Sequence, residues 1–221
     1  GATSNATASS GGPTTGFAVS GNRLLRDGQP FQLRGVNRSG SEYACIQDFG
    51  FFDGPADDAS IEAIAAWKAN AVRIPLNEDC WLGINGAPAT YSGAAYRQAI
   101  ADYVDRLNQH GLAAIVELHW SAAGTTPATK QDPMPNRDHS IAFWSDVAGA
   151  FADRPYVIFE PFNEPFPDSN QDTDAAWTCW RDGGTCPGAS FEAAGMQELV
   201  TAIRDAGATQ VILLGGVTYS N

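Results

Sequence analysis

Four short stretches carry the polar residues best placed for chemistry: Asn37 in RGVN, Arg73 and Asn77 in VRIPLNED, His119 and Trp120 in VELHW, and Asn163 and Glu164 in FEPFNEP. Each follows a run of β-branched and aliphatic residues, so these side chains fall at the C-terminal ends of successive strands. In FEPFNEP, strand alternation sets Glu160, Phe162 and Glu164 on one side, with Glu164 last and nearest the open end. A carboxylate there can give or take a proton. Taken singly, Arg73 reads as a structural ion pair, His119 as a satisfied core histidine and Glu164 as a solvated loop carboxylate. Gathered at corresponding strand ends they read as one site. Glu160 and Glu117 point inward but deeper, as buried, hydrogen-bonded structural acids do.

The elements that must position these groups alternate. Apolar runs at 31 (the first strand, Phe31 to Val36), 71 (AVRIPL), 112 (LAAIVELHW), 156 (YVIFEPF) and 210 (QVILLGG) read as strands. Helical stripes separate them: Ile61, Ile64, Ala65 and Lys68 after Asp57 and Asp58; Tyr96, Ile100, Tyr103, Val104 and Leu107, closed by Gly111; Phe143, Val147 and Phe151; and Leu199, Val200 and Ile203, closed by Gly207. An Arg-Asp-Gly-Gln turn at 26 to 29 predicts a hairpin ahead of the first strand. Strict alternation means parallel β with right-handed crossovers, either a doubly wound sheet or a barrel. No G-x-G-x-x-G follows the first strand and no phosphate loop appears, whereas the polar residues collect at strand ends. The fold expected is therefore α/β, a (β/α)8 TIM-barrel type with about five β/α units, which places the site on its C-terminal face. Residues 1–16, rich in Ser, Thr, Ala and Gly, read as a linker or tail, and 17–221 as the barrel domain.

Composition narrows the partners. Thirteen basic against twenty-five acidic residues give a net charge of -12, which argues against nucleic acid, whose phosphates would be repelled. No apolar run is long enough to span a membrane. Cys179 and Cys186 are seven apart in a Gly/Pro-rich loop and no histidine adjoins a cysteine, so disulfides fit better than zinc. The pairs expected are Cys45–Cys80, joining the loops after the first two strands, and Cys179–Cys186 as a local staple. Both imply an oxidising, extracellular setting. No metal cluster such as H-E-x-x-H and no cofactor motif is present, so none is expected. Asn5-Ala6-Thr7 and Asn37-Arg38-Ser39 match the glycosylation pattern, but one lies in the tail and the other at the candidate site.

In order and spacing, RGVN, VRIPLNED, VELHW and FEPFNEP resemble the first four strands of glycoside hydrolase family 5, the cellulase-type retaining β-glycosidases, over about residues 17 to 221. The resemblance implies Glu164 as general acid/base, Asn163 holding the sugar 2-hydroxyl, Arg73 orienting the nucleophile from below and His119 contacting sugar at the cleavage site. It implies a β-linked oligo- or polysaccharide substrate, with Asn37, Trp120, Tyr43, Trp81, Asn77 and Tyr219 as substrate-binding candidates; Trp177 and Trp180, in the Cys-stapled stretch after the fourth strand, are read by position as a cleft wall. Retaining hydrolysis also needs a second carboxylate ~5–5.5 Å from the first. In the family that nucleophilic Glu ends strand seven, a second His or Tyr follows strand six and a platform Trp ends strand eight. At about 45 residues per unit against the fold's usual length, these are expected beyond residue 221. The missing barrel portion, or a second copy, is then the partner expected to close the sheet. A truncated, inactive or only sugar-binding fragment is the competing expectation.

Overall fold

The structure, a computed structural model, describes residues 15–220; nearly all of the expected linker at 1–16 lies outside them. The described chain opens with an antiparallel meander of β1 (Phe17–Ser20), β2 (Arg23–Arg26) and β3 (Gln29–Pro30). Its second turn is the expected one, with Asp27 and Gly28 both at positive φ (52° and 79°), the backbone that twists two strands into register.

The main sheet is parallel and runs in sequence order: β4 (Gly35–Asn37), β5 (Ala71–Asn77), β6 (Ala113–Trp120) and β7 (Val157–Glu160). Helices α1 (Asp58–Ala66), α3 (Ala94–Gln109) and α4 (Ser140–Phe151) form the crossovers, and α2 (Glu78–Leu82) grows directly from the end of β5. Asp57 caps α1 by accepting from Ser60 N, as an Asp before an apolar stripe should. Lys68, expected within that helix, lies past it at φ 65°. After β7 come α5 (Pro167–Asn170), a single turn with left-handed backbone at Asp168 and Ser169, then α6 (Asp174–Asp182), the hairpin of β8 (Gly183–Thr185) and β9 (Glu192–Ala194), α7 (Met196–Asp205) and the short turn α8 (Val217–Ser220). The strand expected at 210 is reduced to one parallel bridge, Phe159 to Ile212, with hydrogen bonds from Phe159 N to Val211 O and from Leu213 N to Phe159 O. Its one neighbour among the described residues, β7, is only four residues long.

Alternation divides the sheet into two faces. Val72, Ile74 and Leu76 of β5, Val116 and Leu118 of β6, and Val157 and Phe159 of β7 point to the helices and join Ile61, Tyr96, Ile100, Leu107, Phe143, Phe151, Leu199 and Ile203 in the main core. Fully burying each such side chain contributes roughly 1.5–3 kcal/mol. The other face is the barrel interior. At its base Ala71, Ala113, Ile115 and Ile158 form an apolar layer against Phe17, Leu24 and Leu33. The meander plugs that base: Phe17 N donates to Pro155 O, Arg26 Nη1 donates to Gly111 O, and the Arg26 guanidinium sits 4.5 Å from the Tyr156 ring centroid. Above the apolar layer the same face turns charged.

Candidate active site

Arg73 stands at the centre of the charged layer. Its Nε and Nη2 donate to the two carboxylate oxygens of Glu160, both at 2.7 Å, a fork-to-fork pair that fixes orientation as well as charge. Nη2 also donates to Asn163 Oδ1 at 3.0 Å, and Nη1 lies 3.1 Å from Glu117 Oε1 and 3.4 Å from Asn37 Oδ1. Glu117 and Glu160 are register partners on adjacent strands, so two carboxylates would repel there without the guanidinium between them. Burial works against the Arg73 cation, but hydrogen bonds to Glu160 and the charges of Glu117 and Glu160 outweigh it and raise its pKa.

His119 Nδ1 hydrogen-bonds Glu117 Oε1 at 2.6 Å. Burial pulls the histidine pKa down, yet the hydrogen bond and charge of Glu117 prevail and leave it raised. Glu117 is fully buried and its own pKa is raised, first by desolvation and then by Glu160, against the pull of His119 and Arg73. The two therefore hold a proton between them more tightly than either would in water.

Pro161 cannot donate to the ladder, so β7 ends at Glu160 and the chain bends out. Asn163 N then donates to Leu118 O at 2.9 Å, tying the bend to β6. Asn163 is buried with its side-chain oxygen on Arg73. The next residue, Glu164, is exposed at the mouth and holds φ at 41°, a left-handed backbone that costs a non-glycine residue on the order of 1–3 kcal/mol and recurs where a side chain must be aimed.

The remaining candidates divide. Asn37 is exposed beside Arg73. Tyr43 and Trp120 are both half-buried with rings 6.1 Å apart, and the Tyr43 hydroxyl donates to Asp53. Tyr219 is 45% exposed and packs on Phe166, two residues beyond Glu164. Trp177 and Trp180 contact each other edge to face at 5.5 Å; Trp177 is 40% exposed. Trp81 and Asn77 do not face the mouth. Trp81 is wholly buried among Tyr96, Phe143 and Phe151, because α2 turns it outward into the helical core. Asn77 is also buried: it caps α2 by accepting from Cys80 N and donates to Glu42 O and Ala128 O. It is a tie between loops, with no free polar atom for a ligand. The disulfides join Cys45 to Cys80 and Cys179 to Cys186, the pairs expected.

The family model described as Cellulase (glycosyl hydrolase family 5) matches residues 24–221. The chain belongs to glycosyl hydrolase family 5. One relative in the family is Endoglucanase E-5 of Thermobifida fusca, 28% identical over 151 residues, which are 66% of this chain and 28% of that protein. Among solved structures, the β-mannanase of Streptomyces thermolilacinus with mannohexaose matches at TM-score 0.60 and 22% identity, over 94% of this chain and 55% of that one. XacCel5A in complex with cellopentaose matches at TM-score 0.59 and 23% identity, over 85% and 53%. The chain thus spans about half the length of these structures, and its sheet is a partial family 5 barrel.

Strand-end reasoning passed over two groups that the structure brings to the site's support. Gln131, in the loop after β6, touches both Asn163 and Glu164. Glu78 and Asp79, the last residues of VRIPLNED, are buried and hydrogen-bonded to that loop or its flanks. An Asn followed by two acids is a helix-start signal, and that was the signal available.

Proposed function

We propose that this chain carries the acid/base half of a retaining glycoside hydrolase that cleaves β-1,4-linked glucan or a related polysaccharide, endoglucanase-like, with residues 17–221 as part of its catalytic domain and 1–16 as a linker. The observation that carries the reading is Asn163–Glu164 held at the sheet's open end beside the Arg73 network. Glu164 protonates the leaving glycosidic oxygen as a carboxylate attacks the anomeric carbon, then deprotonates the water that releases the glycosyl-enzyme. The attacking Glu is expected beyond residue 221, and the rest of the barrel or a second copy would supply it. Asn163 binds the sugar 2-hydroxyl and His119 contacts the sugar at the cleavage point, while Trp120 and Tyr43 offer flat faces to neighbouring rings. Two disulfides suit a secreted enzyme.

The test is hydrolysis of soluble β-glucan and β-mannan by the purified protein and by Glu164→Gln. A loss of about 10²–10⁴-fold in the variant is expected. Retention of activity in Glu164→Gln would remove Glu164 from the role, and absence of activity in both proteins would leave the chain as a sugar-binding or incomplete fragment.

A further inference from the structure

We propose that Gln131 is a positioning residue for the acid/base pair, a role that rests on the reading of Glu164 above. Its side chain makes three hydrogen bonds to two consecutive residues. Gln131 Oε1 accepts from Asn163 Nδ2 at 2.6 Å, and Gln131 Nε2 donates to the carbonyls of Asn163 and Glu164, each at 2.9 Å. Since Asn163 Oδ1 is already on Arg73, both ends of the Asn163 amide are committed and the group cannot flip. The two carbonyls bracket the Glu164 φ and ψ angles, so Gln131 holds the residue in its left-handed backbone. Without that grip the strain at φ 41° would relax and swing the carboxyl away.

The loop that presents Gln131 is itself fixed on both sides. Ala128 N donates to Asp79 Oδ2 and Ala128 O accepts from Asn77. Phe166 N donates to Pro133 O, and Asn136 Nδ2 donates to Glu78 Oε2. Gln131 is thus the inner contact of a loop tied to α2 and to the segment following Glu164.

The experiment compares Gln131→Ala and Gln131→Glu with the parent, each in a protein that also carries the attacking Glu, on two substrates, soluble β-glucan, whose leaving group needs a proton, and dinitrophenyl β-cellobioside, whose leaving group does not. In Gln131→Ala, kcat/KM on glucan should fall about 10²-fold, the cost of misplacing a catalytic group by about 1 Å, with a loss below about 10-fold on the activated glycoside. Gln131→Glu keeps the acceptor for Asn163 but sets a carboxylate against two carbonyls, and should show the same split. Equal losses on both substrates, or none, would overturn the proposal. Glu164→Gln run alongside separates the two readings: if it cleaves glucan normally, the acid/base assignment fails and the proposal with it. A crystal structure of Gln131→Ala gives a readout independent of turnover. A rotated Asn163 amide and a Glu164 φ outside the left-handed region are expected; unchanged positions would overturn the role.

Discussion

Two glutamates, Glu117 and Glu78, are buried to the same degree and kept there by opposite means. Glu117 lies on the barrel's inner face with the Arg73 guanidinium 3.1 Å away and the His119 ring at 2.6 Å. Its Oε2 has no hydrogen-bond partner among the described residues, so cations supply nearly all of its stabilisation. Glu78 lies on the other side of the sheet, at the start of α2. Its partners are neutral: the Ser140 hydroxyl, Asn136 Nδ2 at 2.7 Å and Ala122 N at 3.3 Å. With desolvation dominant and only Asp79 as a charged neighbour, its pKa is pushed up to about 8, so the carboxyl carries a proton at neutral pH. The site keeps its charges by pairing them, whereas its supporting scaffold discards a charge. The difference separates a polarised network at the candidate site from a neutral anchor beneath a loop.

The largest break in this comparison should come from Arg73→Met. It leaves Glu117 and Glu160 beside each other with only His119 to counter them and should cost about 3–5 kcal/mol in urea unfolding at neutral pH. Glu78→Gln, which keeps shape and hydrogen bonds while fixing the neutral state, should cost under about 1 kcal/mol. Comparable losses in the two variants would show that Glu78 is charged after all.

The next effect is in pH. The folded state keeps the Glu78 proton up to about pH 8, whereas the unfolded chain releases it near 4.5, so folding takes up a proton between those values. This contribution is complete below pH 4.5 and is lost as pH rises towards 8, on the order of a few kcal/mol. Urea midpoints of the parent should therefore fall across that window more steeply than those of Glu78→Gln. Parallel pH profiles would contradict the neutral assignment. A further effect is that of Ser140→Ala, which removes one donor from Glu78 and should lower stability by about 1 kcal/mol, with the glutamate pKa rising further. A glucan-hydrolysis rate that drops in step would place the anchor within the site's support.

The parts legible in sequence are those set by period and position. Strand alternation placed Glu117 and Glu160 on the inner face because a side chain's face follows from counting by twos; the same count set Phe162 beside Glu160, but β7 ends at Glu160 and Phe162 lies in the main core. Helix stripes at Tyr96, Ile100, Tyr103, Val104 and Leu107 are all buried as expected. What sequence hid was direction after a strand ends. Trp81 follows β5 by four residues, yet the Asn77 cap starts α2 at once and carries it into the core. Gln131 lies in KQDPMPN, where no periodicity operates and only tertiary contacts decide what it touches. The run at 210 has strand composition, but pairing needs neighbours, and among the described residues it has one short one. Val200, placed in a helix stripe, is only half-buried.

The sequence-ordered sheet also governs how the protein can be made. Because β5, β6 and β7 each pair with the strand before, starting from β4, the sheet can grow as the chain leaves the ribosome, N-terminal unit first. The meander is the exception. Its first residues are synthesised before any strand exists, yet Phe17 N awaits Pro155 O and Asp27 awaits the Tyr156 hydroxyl. More than a hundred residues of translation separate those partners, so these two contacts of the plug form late, after Gly111 has become available to Arg26. On a nascent chain halted before residue 155, the apolar layer at the barrel's base still lacks Ile158, and its Ala71, Ala113 and Ile115 are the surface a chaperone would meet.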